Sequence, residues 1–208
     1  MTRIVKKAEI RREEIISAAR ELFQTKDYEK ATMQELIKNL NIAKGTLYYY
    51  FSSKQELLEA VIENTIDEEF VKKEKLLKSF SNGGTGAIEK LKILIEGSDV
   101  ADENEKILET LHHPENIEMH TKQLGRYITR LAPLWASVLT EGCDEGVFKT
   151  EYPLEYAEFI LAGIQFLTDL GFYPWSRDQL ERRRRAFPFL VETILGAFTG
   201  TFDFLREN

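Results

Sequence analysis

The sequence predicts an all-α fold, and three observations carry that prediction. Apolar residues recur at three- and four-residue spacing along almost the whole chain, as in helices that bury one face. No segment alternates apolar and polar residues over the length of a strand. Ser or Thr followed three residues later by Glu or Gln marks helix starts at Thr32-Glu35, Ser53-Glu56 and Ser176-Gln179. In that pattern side chain and backbone satisfy each other's free N–H groups.

The first helix is expected from about Lys7 to Thr25, with Ile15, Ile16, Ala19, Leu22 and Phe23 on one face. The second starts at Thr32 and carries Met33, Leu36, Ile37 and Leu40 along one side. A turn at Asn41-Ile42 leads to a short third helix, about Ala43 to Tyr49. Asn41 suits such a turn because its short polar side chain tolerates left-handed backbone. Ser53 opens a long helix striped by Leu57, Leu58, Val61, Ile62, Ile66 and Phe70. Ser81-Asn82-Gly83-Gly84-Thr85-Gly86 then breaks the chain, since glycine loses too much freedom in a helix interior. A phosphate-cradling loop does not fit there: no strand precedes the glycines and no Gly-Lys-Ser/Thr follows. Five further helices are expected near residues 85–97, 103–112, 116–144, 153–172 and 178–206. Pro153 fits the first turn of the fourth of these. Pro188 should kink the last or delay its start.

Composition sets outer bounds. The 208 residues are 43% hydrophobic and 30% charged, enough for a buried core in one or two domains. No apolar run is long enough to span a bilayer. The opening residues lack the apolar core of a secretory signal, so a cytoplasmic location is expected. Cys143 is the sole cysteine and can build neither an internal disulfide nor a cysteine-based zinc site. His112, His113 and His120 lie in a run interrupted by Pro114, without the spacing of a zinc helix. No metal, cofactor or enzymatic activity is expected. The Arg182-Arg183-Arg184-Arg185 run reads as a solvated helix face with partners such as Glu181.

The net charge of −7 is opposite to what a nucleic-acid binder needs, but it is unevenly spread. Residues 1–54 hold eleven Lys or Arg and seven acids, which leaves the segment near +4 and the remaining 154 residues near −11. Such asymmetry points to an acidic partner at one end. The basic arm from Arg3 to Arg12 could reach phosphates or a minor groove, or could simply be a solvated tail.

Within the basic segment, Thr32 to Lys54 has the parts of a DNA reader. Leu36, Ile37, Leu40, Ile42, Leu47 and Phe51 can form a small core between two helices. Lys44, Gly45, Thr46, Tyr48 and Tyr49 are then left facing outward, on a helix short enough to enter the major groove. Gly45 lets the backbone approach DNA closely. Thr46 suits a base edge or a thymine methyl, and Tyr48 and Tyr49 offer hydroxyls to phosphates. Lys54, at the first turn of the long helix, is expected at a phosphate.

This segment resembles the DNA-binding domain of the tetracycline-repressor (TetR/AcrR) family. Lys44-Gly45-Thr46-Leu47-Tyr48-Tyr49-Tyr50-Phe51, followed by Lys54-Gln55-Glu56-Leu57, is similar to that family's Lys-Gly-Thr-Leu-Tyr-x-Tyr-Phe and Lys-x-x-Leu. Two positions depart from it. Asn41 replaces the usual turn glycine, and Ala43 replaces the Ser or Thr that usually opens the recognition helix, at a cost of about 1 kcal/mol as a cap. The resemblance adds Thr32 to the expected DNA contacts. It implies a three-helix DNA-binding domain over residues 1–54 and a helical effector-binding and dimerisation domain over 55–208. It also implies a homodimer on a palindromic double-stranded DNA operator, released by a small molecule.

Two apolar stripes would serve the dimer: Phe159, Ile160, Gly163, Ile164 and Leu167, then Phe187, Leu190, Val191, Ile194, Leu195 and Phe198. Burial within one subunit is the alternative for the same residues. The implied effector pocket has Tyr127, Leu131, Trp135, Phe166, Phe172, Tyr173 and Trp175 as candidate walls, which suit an apolar or aromatic ligand.

Overall fold

A computed structural model of the chain describes residues 2–80, 84–96 and 104–206. Among the described residues lie nine α-helices and no strand. They are α1 (Thr2–Thr25), α2 (Met33–Asn39), α3 (Lys44–Tyr50), α4 (Lys54–Phe80), α5 (Ala87–Glu96), α6 (Glu105–Glu109), α7 (Ile117–Asp144), α8 (Pro153–Thr168) and α9 (Arg177–Leu195). The helices form two compact units. One is Met1–Glu68 with Val100–His113, and the other is Glu69–Asp99 with Pro114–Asn208; α4 contributes to both.

The core of the first unit follows the expected apolar spacing. Ile15, Ile16, Ala19 and Phe23 of α1 are buried with Leu36, Leu47, Phe51, Leu57, Leu58, Val61 and Ile62. Leu22, Ile37, Leu40 and Ile42 close its edge, half-buried. Arg20 ties α1 to α4. Its guanidinium meets both oxygens of Glu68 at 2.7 and 3.0 Å and donates to Asn64 at 2.5 Å. A bidentate pair of this kind fixes geometry as well as charge. Gln24 donates to Asn104, just ahead of α6, at 2.9 Å.

Thr32 opens α2 with a complete capping box. Its hydroxyl accepts the Glu35 N–H at 3.2 Å, and Glu35 accepts the Thr32 N–H at 2.9 Å. The box expected at α4 closes differently. The Glu56 N–H does donate to Ser53 Oγ, at 3.0 Å, but the Glu56 carboxylate returns to Ser52, accepting its N–H and hydroxyl, each at 2.7 Å. These two bonds hold the Glu56 carboxyl below the usual carboxylate range.

In the second unit α7 packs on α5 and α8, and α9 packs on α8. Its buried residues include Leu91, Leu94, Leu131, Ala132, Trp135, Leu139, Ala157, Ile160 and Leu161. Gly142 makes room for Phe148: a Cβ at Gly142 would stand inside contact distance of that ring.

Several boundaries differ from expectation. α1 starts at Thr2, and α8 ends at Thr168. α6 gives way to a 3₁₀ turn at Thr110–His112. α9 accommodates Pro188 and stops at Leu195, where Gly196 turns left-handed with φ of 61°; glycine is the residue that makes this stop without strain. The chain beyond folds back and is held by the buried carboxylate of Glu192, which accepts the N–H groups of Gly200 at 2.8 Å and Phe202 at 3.1 Å. Phe202 is therefore buried, while Phe198 is 83% exposed. Ser81, Asn82 and Gly83 of the glycine-rich break, and the side chains of the arm up to Lys7, lie outside the described residues.

Overpacking a tight core costs about 1–3 kcal/mol. Gly142→Ala should lose that much in urea unfolding of the whole chain, and Phe148→Leu in the same background should recover part of it. A Gly142→Ala variant as stable as the parent would show that the ring can move aside.

Candidate nucleic-acid interface

The helix expected to read DNA is α3. It has seven residues, and Leu47 alone among them is buried. Phe51, immediately after it, is buried too. Its first turn has no side-chain cap, because Ala43 makes no such bond. The preceding turn is set by Asn41, whose φ of 50° makes it the only non-glycine with positive φ among the described residues. The N–H groups of Asn41 and Ile42 close the turn on Lys38 and Ile37 carbonyls, both at 3.2 Å.

With Leu47 inward, the rest of α3 turns out. Lys44 and Gly45 are exposed and Thr46 is half-buried. Tyr48 is 42% and Tyr49 80% exposed. The Lys44 ammonium lies 5.6 Å from the Tyr48 ring centre, and Tyr49 meets Tyr50 edge-on at 5.1 Å. Nothing approaches within 4 Å of where a Gly45 Cβ would stand, so internal packing does not demand glycine there. Arg12, which sequence reasoning left in an undifferentiated arm, stands over Phe51 at 5.3 Å. The only available signal for it was its place one turn before Ile15 and Ile16.

Two expected contacts are engaged elsewhere. The Thr32 hydroxyl gives its one proton to Glu35 at 2.9 Å. Glu35 also takes Lys26 at 2.5 Å, and Lys26 first, then Thr32, hold its carboxyl below the ordinary value. Lys54 is engaged more fully. Its ammonium donates to the carbonyls of Tyr28, Ala31 and Glu29 at 2.8, 3.2 and 3.4 Å and sits 4.1 Å from the Tyr28 ring centre. Lys54 thus ties α4 to the turn between α1 and α2, and its three protons are spent there.

The seven expected pocket residues separate into two groups. Tyr127, Leu131 and Trp135 line a cavity of about 120 Å³ among α5, α7, α8 and the closing turn. Phe166, Phe172, Tyr173 and Trp175 do not line it. They form a cluster around the end of α8: the Phe166 ring centre lies 4.8 Å from that of Phe172 and 5.4 Å from that of Tyr173, Tyr173 stacks on Trp175 at 5.0 Å, and the Arg183 guanidinium lies 3.4 Å from the Trp175 ring centre. His120 belongs beside this cluster: buried, 2.8 Å from the Asp169 carboxylate and stacked on Phe172.

The stripes expected at a dimer interface also divide. Phe159 (70%), Leu167, Leu190 and Phe198 are exposed. Gly163, Ile164 and Ile194 are half-buried. Ile160, Phe187, Val191 and Leu195 are buried within the unit and are corrected to core. Neighbouring residues on a helix point about 100° apart, so Phe159 and Ile160, or Leu190 and Val191, serve different faces.

Residues 15–61 match "Bacterial regulatory proteins, tetR family", and residues 99–189 match "Tetracyclin repressor-like, C-terminal domain". The chain is 30% identical over 158 residues to the uncharacterized HTH-type transcriptional regulator YfiR of Bacillus subtilis (strain 168), covering 73% of this chain and 75% of that one. The chain belongs to the TetR family. It is 23% identical over 159 residues to the HTH-type transcriptional repressor KstR2 of Mycobacterium tuberculosis (strain ATCC 25618 / H37Rv), covering 74% and 78% of the two chains. A solved transcriptional regulator from Cytophaga hutchinsonii ATCC 33406 shares its fold, with a TM-score of 0.65 at 22% identity over 94% of this chain and 96% of that one. As a TetR-family member it is a DNA-binding transcriptional regulator with the helix-turn-helix in α2 and α3.

Hydrogen bonds from a charged donor contribute about 1.5–3 kcal/mol. Lys54→Met should therefore lower the melting temperature of the regulator while leaving the salt dependence of its DNA binding unchanged. A phosphate contact would give the reverse: an unchanged melting temperature and a flatter salt dependence.

Proposed function

We propose that this protein is a repressor that binds a palindromic operator as a homodimer and leaves it when a small molecule occupies the second unit. Residues 1–54 form the DNA-reading segment, and residues 55–208 hold the effector and dimer surfaces. The observation that carries the reading is the outer face of α3. Two tyrosines, a lysine and a glycine stand exposed together on a two-turn helix whose single buried residue fixes its direction. That is what major-groove reading and phosphate positioning require. Similarity to a relative described as a repressor supports the sign of regulation.

A helix of two turns touches few base pairs, so one copy reads too little sequence. A two-fold dimer would read half-sites about 34–36 Å apart, or a multiple of that. Phe159, Leu167 and Leu190, with Phe166, Leu170 and Phe189, give the second unit exposed apolar side chains suited to a second copy. No described helix is long and apolar enough to cross a membrane; the operator places the work in the cytoplasm.

Fragments selected from a random DNA library at near-physiological salt should converge on a palindrome. On that operator Tyr49→Ala should weaken binding at least tenfold with no change in melting temperature, because its ring touches only Tyr50 among the described ring contacts. Lys44→Ala should weaken all sequences alike and lower the salt slope by about one. Equal affinities for Tyr49→Ala and parent would remove Tyr49 from the interface.

Phe159→Glu tests the assembly separately. Sedimentation should show the parent as a dimer and the variant as a folded monomer with weakened operator binding. A variant that remains dimeric would move the interface away from α8.

A further inference from the structure

The cavity lined by Tyr127, Leu131 and Trp135 combines aliphatic walls with one hydrogen-bond donor that has no partner. Leu94, Ile95, Leu131, Leu161, Ile164 and Leu205 form most of its lining, and no charged side chain lines it. Its polar members are Tyr127, Gln165 and Trp135. The Tyr127 hydroxyl is already engaged by Glu69 and Gln165, and burial, followed by the Glu69 charge, raises its pKa so that it stays a phenol. Behind it Glu69 lies 3.5 Å from the buried ammonium of Lys73, which donates to the Leu94 carbonyl. That set of groups satisfies itself.

Trp135 does not join it. The residue is buried, and its indole N–H has no partner. An indole N–H can only donate, so the missing group is an acceptor. A water there would meet mostly hydrocarbon, whereas buried water usually keeps two to four polar partners. Size limits the occupant too. An apolar cavity of about 150 Å³ accepts benzene, and this one is about 120 Å³. Charge is excluded by walls that offer no counter-ion.

We propose that this cavity takes a small uncharged molecule, a five- or six-membered ring or its open-chain equivalent, whose carbonyl-type oxygen accepts the Trp135 indole N–H. The inference deepens the effector reading above and rests on it for its regulatory meaning, but binding is measured without DNA, so the two can fail separately.

The probes are cyclohexanone, methylenecyclohexane (the same shape without the oxygen) and cyclohexylammonium. Each is titrated into the full ¹⁵N-labelled chain while its two indole N–H signals are followed, with Trp175→Phe assigning them. Cyclohexanone should bind at least fivefold more tightly than methylenecyclohexane and shift the Trp135 signal downfield. Cyclohexylammonium should not bind. Trp135→Phe should bind the two neutral rings equally; if that variant does not fold, the signals of the parent decide. Equal affinities in the parent, a stationary Trp135 signal, or a preference for the cation would overturn the proposal. Binding as expected with unchanged operator affinity would keep the site and remove its regulatory role.

Discussion

Leu47 holds the reading helix in place. A seven-residue helix does not persist in water by itself, because nucleation costs more than two turns return. α3 also lacks a side-chain cap. Its stability must come from packing, and Leu47 with the adjacent Phe51 is where that packing occurs. One anchored position settles the direction of every other side chain on the helix. The left-handed Asn41 completes the constraint by turning the chain so that Leu47 can reach the core formed by α1 and α2. The exposed face, with Tyr48 and Tyr49 on it, follows from these two residues.

This part of the molecule was legible because its determinants are local. Thr32 and Glu35 are three residues apart, Asn41 sits in its own turn, and Leu47 and Phe51 are four residues apart. The partners of Lys54 were not legible, for the opposite reason. Its partners are the backbone carbonyls of Tyr28, Glu29 and Ala31, more than twenty residues earlier. Carbonyls are the same on every residue, so no side-chain pattern announces them. Glu56 shows the same blindness on a smaller scale. Ser52 and Ser53 are chemically equivalent, and only the path of the backbone decides that Ser53 receives and Ser52 gives.

In the second unit periodicity named the helices but not their surroundings. A stripe reports that one side is apolar; it does not report whether the cover comes from the same chain or another. Ile160 and Val191 went to the core and their neighbours Phe159 and Leu190 to the surface, although hydrophobicity ranks them alike. The spacing also ran on through Phe198 and Phe202, past a glycine that ends α9. The buried Glu192 that fastens the returning chain is an acid on an otherwise apolar stretch, and its role depends on N–H groups eight and ten residues later.

Dimerisation and the unpaired indole meet in one piece of arithmetic. A neutral hydrogen bond contributes about 0.5–1.5 kcal/mol net, and an unpaired buried donor costs about 1–3 kcal/mol. A ligand can shift operator affinity only by the difference in its binding to the DNA-competent and released states. Were the Trp135 bond made in one state and not the other, each cavity would supply up to about tenfold, since 1.4 kcal/mol is a factor of ten. One such cavity gives a weak switch. Two in a symmetric dimer act on the same equilibrium, and their factors multiply to about a hundredfold. A pocket with one unpaired donor can therefore still control a gene, provided the protein reads its operator in pairs.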